Sequence, residues 1–153
     1  MADVSREEAR AAGQKLKAHL GLSDQEFEQH ISHAWNRRLI VRHDEMAQYK
    51  IIAEVVEAKH CGAGCKVGQK FVFKTVPAVL LPAESDCGLC VKALGPISDL
   101  IHGIWDRMCE GLDPNDGFGQ YASCLDMGLE YSGLGNVKFR VYAVKDSSPP
   151  AAK

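Results

Sequence analysis

A chain of 153 residues, 46% apolar and 25% charged, has the length and composition of one globular domain. Its formal charge of −2 offers no basic face to neutralise phosphates, which argues against a nucleic-acid partner. No apolar run approaches the roughly 18 residues that span a bilayer, so no membrane partner is expected. The opening Met1-Ala2-Asp3-Val4-Ser5-Arg6-Glu7-Glu8 has neither the basic nor the apolar region of a secretory leader, and the expected location is cytoplasmic. Thiols stay reduced there. The six cysteines are therefore expected to be packed, reactive or metal-bound, not disulfide-paired.

The first 45 residues read as a helical hairpin. Ser5 with Glu8 makes a capping box, in which hydroxyl and carboxylate satisfy amides that the first helical turn leaves without partners. That helix is expected to reach Leu20 and close at Gly21, which takes the left-handed backbone without a side-chain clash. Ser23 with Glu26 repeats the start signal. Phe27, Ile31, Ala34, Trp35 and Leu39 then share one face of a second helix, and Arg37, Arg38, Arg42 and His43 suit its negative end. Trp35, expected to be exposed, is a candidate anchor for a partner or for a second copy of the chain.

From Tyr49 the period changes to two. Residues 49–57 read as a strand with one wetter face, 61–68 as a loop and 70–74 as a second strand. Segment 76–81, interrupted by Pro77 and followed by Pro82, reads as an edge strand or extended piece. Asp86 is expected to cap a short helix over 87–94, broken at Gly95-Pro96. Pro96 suits the first turn of the next helix, which buries Ile97, Leu100, Ile101, Ile104, Trp105 and Met108 and ends near Gly111. Residues 113–117 are turn chemistry, 136–144 a last strand and 146–153 a disordered tail. The expected fold class is α+β: a small antiparallel sheet with helices on one face, preceded by the N-terminal helical hairpin. Residues 1–45 form that extension, 46–145 the cysteine-containing core domain and 146–153 the tail.

Four cysteines stand at turns or at an element start. Cys61 and Cys65 bracket Gly62-Ala63-Gly64, Cys90 opens a helical pattern, and Cys124 follows the glycine-rich 117–120. Zinc and iron–sulfur centres take four ligands, thiolate with occasional imidazole, and glycine lets a backbone bend to aim several sulfurs inward. A helix start at Cys90 suits an anionic ligand. The candidate ligands are Cys61, Cys65, Cys90 and Cys124. Cys87, three residues before that helix start with C-x-x-C spacing to Cys90, and His60, next to Cys61, are further candidates. Cys109 follows Met108 on a helix and reads as packing.

Residues 49–144 carry a resemblance. The run Tyr49-Lys50-Ile51 leads to Cys61-Gly62-Ala63-Gly64-Cys65-Lys66-Val67-Gly68 and then Phe71-Val72-Phe73. Cys90 with Pro96, Cys124-Leu125-Asp126 and Val137-Lys138-Phe139-Arg140-Val141 follow. This resembles a small bacterial and archaeal family of uncharacterised function, about one hundred residues long, an ordinary domain size. Its loop reads C-x-x-G-H-K-V-G, so Cys65 stands where the family has histidine. Those two residues differ in packing but exchange as metal ligands. The resemblance implies a Cys₃His or Cys₄ site at Cys61, Cys65, Cys90 and Cys124, and no particular reaction. Residues 1–45 fall outside it.

The expected function is a small metalloprotein whose cysteine-ligated iron–sulfur cluster or zinc ion serves electron transfer, or supports a larger enzyme or redox partner as an accessory subunit. The hairpin is a candidate route to a homo-oligomer. One alternative is a thiol-dependent enzyme with Cys61 or Cys90 as nucleophile and His60 as base; another is a metal-free protein-binding module whose cysteines only pack. His30 and His33 read as solvated surface and His102 as partly buried. Asp113, Asp116 and Asp126 read as turn residues because the D-x-[DN]-x-[DN]-G loop is missing. Gly133-Leu134-Gly135 reads as a turn. No nucleophile elbow, phosphate loop or dinucleotide fingerprint is present, so the sequence names no reaction.

Overall fold

The computed structural model describes residues 4–86 and 88–146. Both capping boxes form: the Ser5 and Ser23 hydroxyls each accept the amide three residues on, while Glu8 and Glu26 reach back to the capping amide. Gly21 closes its helix with φ 66°. The two expected helices are each divided in two, giving α1 (Arg6–Ala12), α2 (Gln14–Leu20), α3 (Asp24–His30) and α4 (Ala34–Met46). Gly13 makes the first corner: a Cβ there would stand 2.6 Å from the Phe27 ring and 2.9 Å from the Ala9 carbonyl oxygen. Only a residue without a side chain lets the α1–α2 corner close over Phe27.

The second break follows from where Ile31 goes. It is fully buried, and the carbonyls exposed by the break are taken by side chains instead of by the helix. Arg37 donates to the carbonyls of Ile31 and Ser32, and Asn36 to that of His30, which satisfies acceptors a helix end leaves over; Arg37 also donates to the Val4 carbonyl ahead of α1. His30 is half-buried, not solvated as expected; its ring Nδ1 lies 3.2 Å from Asn36 Nδ2. Ala9, Phe27, Ile31 and Ile40 fill a small interior among these helices, with Arg10 and Glu28 paired outside it at 2.7 Å.

Past α4 the alternating segments form a five-stranded antiparallel sheet in the order β3-β2-β1-β5-β4. The strands are β1 (Tyr49–Lys59), β2 (Lys70–Lys74), β3 (Val79–Leu80), β4 (Tyr121–Ser123) and β5 (Asn136–Lys145). The expected edge segment is β3, reduced to two residues, and β4 is an edge strand the sequence pattern did not announce. Register puts Ala53 opposite both Phe71 and Val141, and Ile51 opposite Phe73 and Ala143. Period-two alternation thus delivers one continuous apolar face, on which Phe71 and Phe139 meet edge-on at 5.9 Å.

That face is covered by α5 (Val91–Cys109), through Ala93, Ile97, Ile101, Ile104 and Met108. The fold is α+β. The helix differs from expectation in being continuous through Gly95-Pro96. Proline there removes a single hydrogen bond, the one its amide would give to the Lys92 carbonyl, and that carbonyl instead accepts the Leu125 amide at 2.9 Å. Asp86 does not cap the helix. Its carboxylate accepts the Lys70 amide at 2.8 Å and its amide donates to the Lys70 carbonyl, extending the edge of β2. The expected helix start at Cys87 and the tail from 147 onward lie outside the described residues.

α4 belongs to both interiors. Ile40 faces the small one, while Trp35, Leu39 and the fully buried Met46 join the sheet core, so the boundary at residue 45 falls within α4, one residue before its end. Trp35 is not the exposed anchor expected from the sequence. Its ring leans on Trp105 with centroids 6.3 Å apart, and its indole N–H donates to Asp106 at 2.7 Å. Arg38 pairs with Glu110 at 3.0 Å beside it. Among the described residues, no helix is long and apolar enough to cross a membrane.

Candidate metal centre

The site forms where β1 ends and β5 begins. His60 leaves β1 with left-handed backbone, φ 51°, and the chain turns at once: the Gly64 amide donates to the Cys61 carbonyl at 3.0 Å, and Gly64 itself has φ 75°. The loop then folds back on β1. The Gly68 amide donates to the Val55 carbonyl and the Val55 amide to the Gln69 carbonyl, both at 2.8 Å, while the Gln69 side chain accepts the Lys66 amide. This closure turns Cys65 inward, where it is 7% exposed. Burial by itself raises the Cys61 thiol pKa, but the amides of Cys65, Ala63 and Gly64 and the Cys65 thiol all favour the thiolate, and the net effect is a lowered value. Amides converging on one sulfur form the kind of nest that holds an anion.

Cys90 is the residue before α5; its carbonyl accepts the amides of Ala93 and Leu94, and its side chain makes no cap. Cys124 follows β4. Its amide donates to the Val137 carbonyl at 2.8 Å, and the Val137 amide donates to its sulfur at 3.3 Å. The four thiols therefore come from two ends of one loop, a helix start and a strand end, and all of them line one cavity of about 170 Å³. Lys92, Ala93, Asp126, Leu134, Val137 and Phe139 complete its wall. The volume is of the order that admits a benzene-sized molecule.

Asp126 is the residue the sequence undervalued. It does shape a turn, as expected, but a large one: one carboxylate oxygen accepts the amides of Gly128, Leu134 and Gly135 at 2.9 to 3.2 Å, and the other takes the Lys92 ammonium at 2.7 Å. Lys92 first, and then the amides, hold this carboxyl well below the ordinary carboxylate range. The loop so gathered lies flat against the end of β1. A Cβ on Gly135 would stand 2.1 to 2.4 Å from the backbone of Lys59 and His60, and one on Gly133 would stand 2.1 Å from the Asp126 carboxylate. The two glycines of the expected turn are thus what lets Leu134 reach the cavity.

Other candidates stand elsewhere. His60 is exposed and its side chain does not line the cavity, so it is not in place as a base for the thiols. Cys109 is buried at the far end of α5, where burial pushes its thiol up to about 11, in keeping with packing. Cys87 lies outside the described residues. Lys92, Asp126 and Leu134 were not singled out as site residues in the sequence; the C-x-D step at Cys124 was the one signal that pointed to any of them.

No family model matches the chain. Neither a curated protein nor a solved structure matches it. The site's chemistry is therefore its own guide. Four thiols with amide donors on two of the sulfurs are a donor set for zinc or for an iron–sulfur cluster. Among the described residues no three His, Cys, Asp or Glu side chains stand close enough to share one ion. A single zinc would need all four sulfurs about 2.3 Å from one point.

Proposed function

We propose that this cavity is a thiolate-ligated metal centre held by Cys61, Cys65, Cys90 and Cys124, with an iron–sulfur cluster as its occupant, and that the protein serves electron transfer or acts as an accessory to a larger redox enzyme. The observation that carries this is the convergence of four cysteines, from one loop, a helix start and a strand end, on one mostly apolar space. Buried thiols that only pack have no need to meet. The resemblance of residues 49–144 to the small family described above falls on the same four positions. A cluster so held would supply a one-electron couple. The chain contributes amide donors to the sulfurs of Cys61 and Cys124, and hydrogen bonds to cluster sulfurs are among the features that set a potential. Leu134 lines the cavity while 66% exposed, and the Lys92 side chain is 54% exposed. The centre thus sits within one side chain of solvent, close enough for exchange with a redox partner.

Elemental analysis and a visible spectrum of the anaerobically purified full chain test this, beside a Cys61→Ser/Cys124→Ser variant. One iron cluster per chain with visible absorption, lost in the variant, supports the reading. One zinc per chain, colourless, would make the site structural. No metal in either protein overturns it.

Cys61 favours one second reading, a reactive thiol. Its lowered pKa and the adjacent Cys65 thiol suit a nucleophile, although His60 is not placed to act as its base. Alkylation of Cys61 in the metal-free protein much faster than of Cys90 or Cys124 would favour it. Docking of a partner or a second copy through the N-terminal helices remains a proposal without Trp35 as its anchor, since that ring is engaged with α5.

A further inference from the structure

We infer that Lys92 and Pro96 are positioning residues that clamp the Cys124 segment to the start of α5, and so set the spacing of Cys90 and Cys124 across the cavity. In an uninterrupted helix the amide of residue 96 would occupy the carbonyl of residue 92. Proline has no such amide, and the Lys92 carbonyl accepts the Leu125 amide at 2.9 Å. Leu125 stands between Cys124 and Asp126. The Lys92 side chain completes the grip through its ammonium, 2.7 Å from the Asp126 carboxylate. One residue, two positions past Cys90, thus holds the segment by backbone and by side chain. Nearby, Leu125 fills the space beside Gly95, where a Cβ would stand 3.8 Å from its methyl. On its other side Cys124 is fixed to β5 by the paired bonds with Val137. The proline that ought to weaken α5 therefore has a use: it supplies the acceptor that brings a second chain segment to the helix start.

The test is Pro96→Ala in the full chain, with Lys92→Met and Lys92→Arg beside it. In the metal-free proteins, a short bifunctional thiol reagent is allowed to bridge Cys90 and Cys124, and the product is quantified by peptide mass. The restored amide of Pro96→Ala competes for the Lys92 carbonyl, so the bridge yield falls severalfold. Its melting temperature does not fall, because alanine favours a helix interior over proline. Lys92→Met also loses bridge yield, and Lys92→Arg recovers most of it. The metal arm rests on the metal-centre reading: affinity for the retained metal drops roughly 10- to 100-fold in Pro96→Ala, as for residues that orient ligands. Unchanged bridging in both Pro96→Ala and Lys92→Met overturns the clamp. A lowered melting temperature in Pro96→Ala with parallel losses also overturns it, since the proline would then be merely structural. If the wild type retains no metal, the metal-centre reading fails while the bridging yields still decide the clamp.

Discussion

The N-terminal helices and the loop end of the sheet solve the same problem, joining short segments around a small space, in opposite ways. Among α1 to α4 the space is filled: Phe27, Ile31 and Ile40 close it, and the polar pairs Arg10–Glu28 and Lys17–Asp24 lie outside. At the loop end the space is kept. Thiols line it, and the wall is held by backbone hydrogen bonds and one carboxylate, with few large side chains pushing in. Close packing contributes stability of the kind that tolerates exchange of similar apolar residues. A maintained cavity forgoes those contacts, which is why its contents call for a functional account.

If the two regions differ in this way, substitutions should separate them. The largest effect is expected from Gly135→Ala, whose methyl meets backbone that cannot yield; overpacking of that kind costs about 3 kcal/mol or more. It should also abolish metal retention, read by elemental analysis. Phe27→Ala should cost about 3 kcal/mol by cavity formation, measured by denaturant unfolding, yet leave metal retention as in the wild type. Loss of metal in that variant would show that the two regions are one cooperative unit. A third expectation concerns acid. Asp126 has its carboxyl lowered from 3.8 in the folded chain, so its contribution is present above the unfolded value and fades as pH falls through about 4 and below. Asp126→Asn should therefore be the less stable protein at pH 7, and its melting temperature should change less than the wild type's between pH 5 and pH 3. The smallest effect is expected at Cys109: buried and with its thiol pushed up to about 11, it should be the slowest described cysteine to alkylate in the native protein at pH 8, by mass spectrometry.

Local chemistry was legible from the residues. The Ser5–Glu8 and Ser23–Glu26 pairs are contained in four-residue windows, and the alternation of 70–74 and 136–144 needs only neighbours to be recognised. The breaks at Gly13 and after His30 were not, because each depends on a side chain from elsewhere: the Phe27 ring at one, the Arg37 guanidinium at the other. Pro96 misled for the same reason. A proline inside a helical pattern looks like an end until another segment, here at Leu125, accepts the carbonyl it leaves over.

The sequence by itself determined the α+β class, the antiparallel character of the sheet and the identity of four candidate thiols, since periodicity, capping and glycine placement are properties of adjacent residues. Only the tertiary structure decided that the four thiols line one cavity, that His60 stands outside it, and that Trp35 faces inward. It alone showed Lys92 and Asp126 holding the wall. Those facts depend largely on contacts between residues far apart in the chain, Lys92 with Asp126 and Trp35 with Asp106 among them, and no local pattern encodes a contact of that kind.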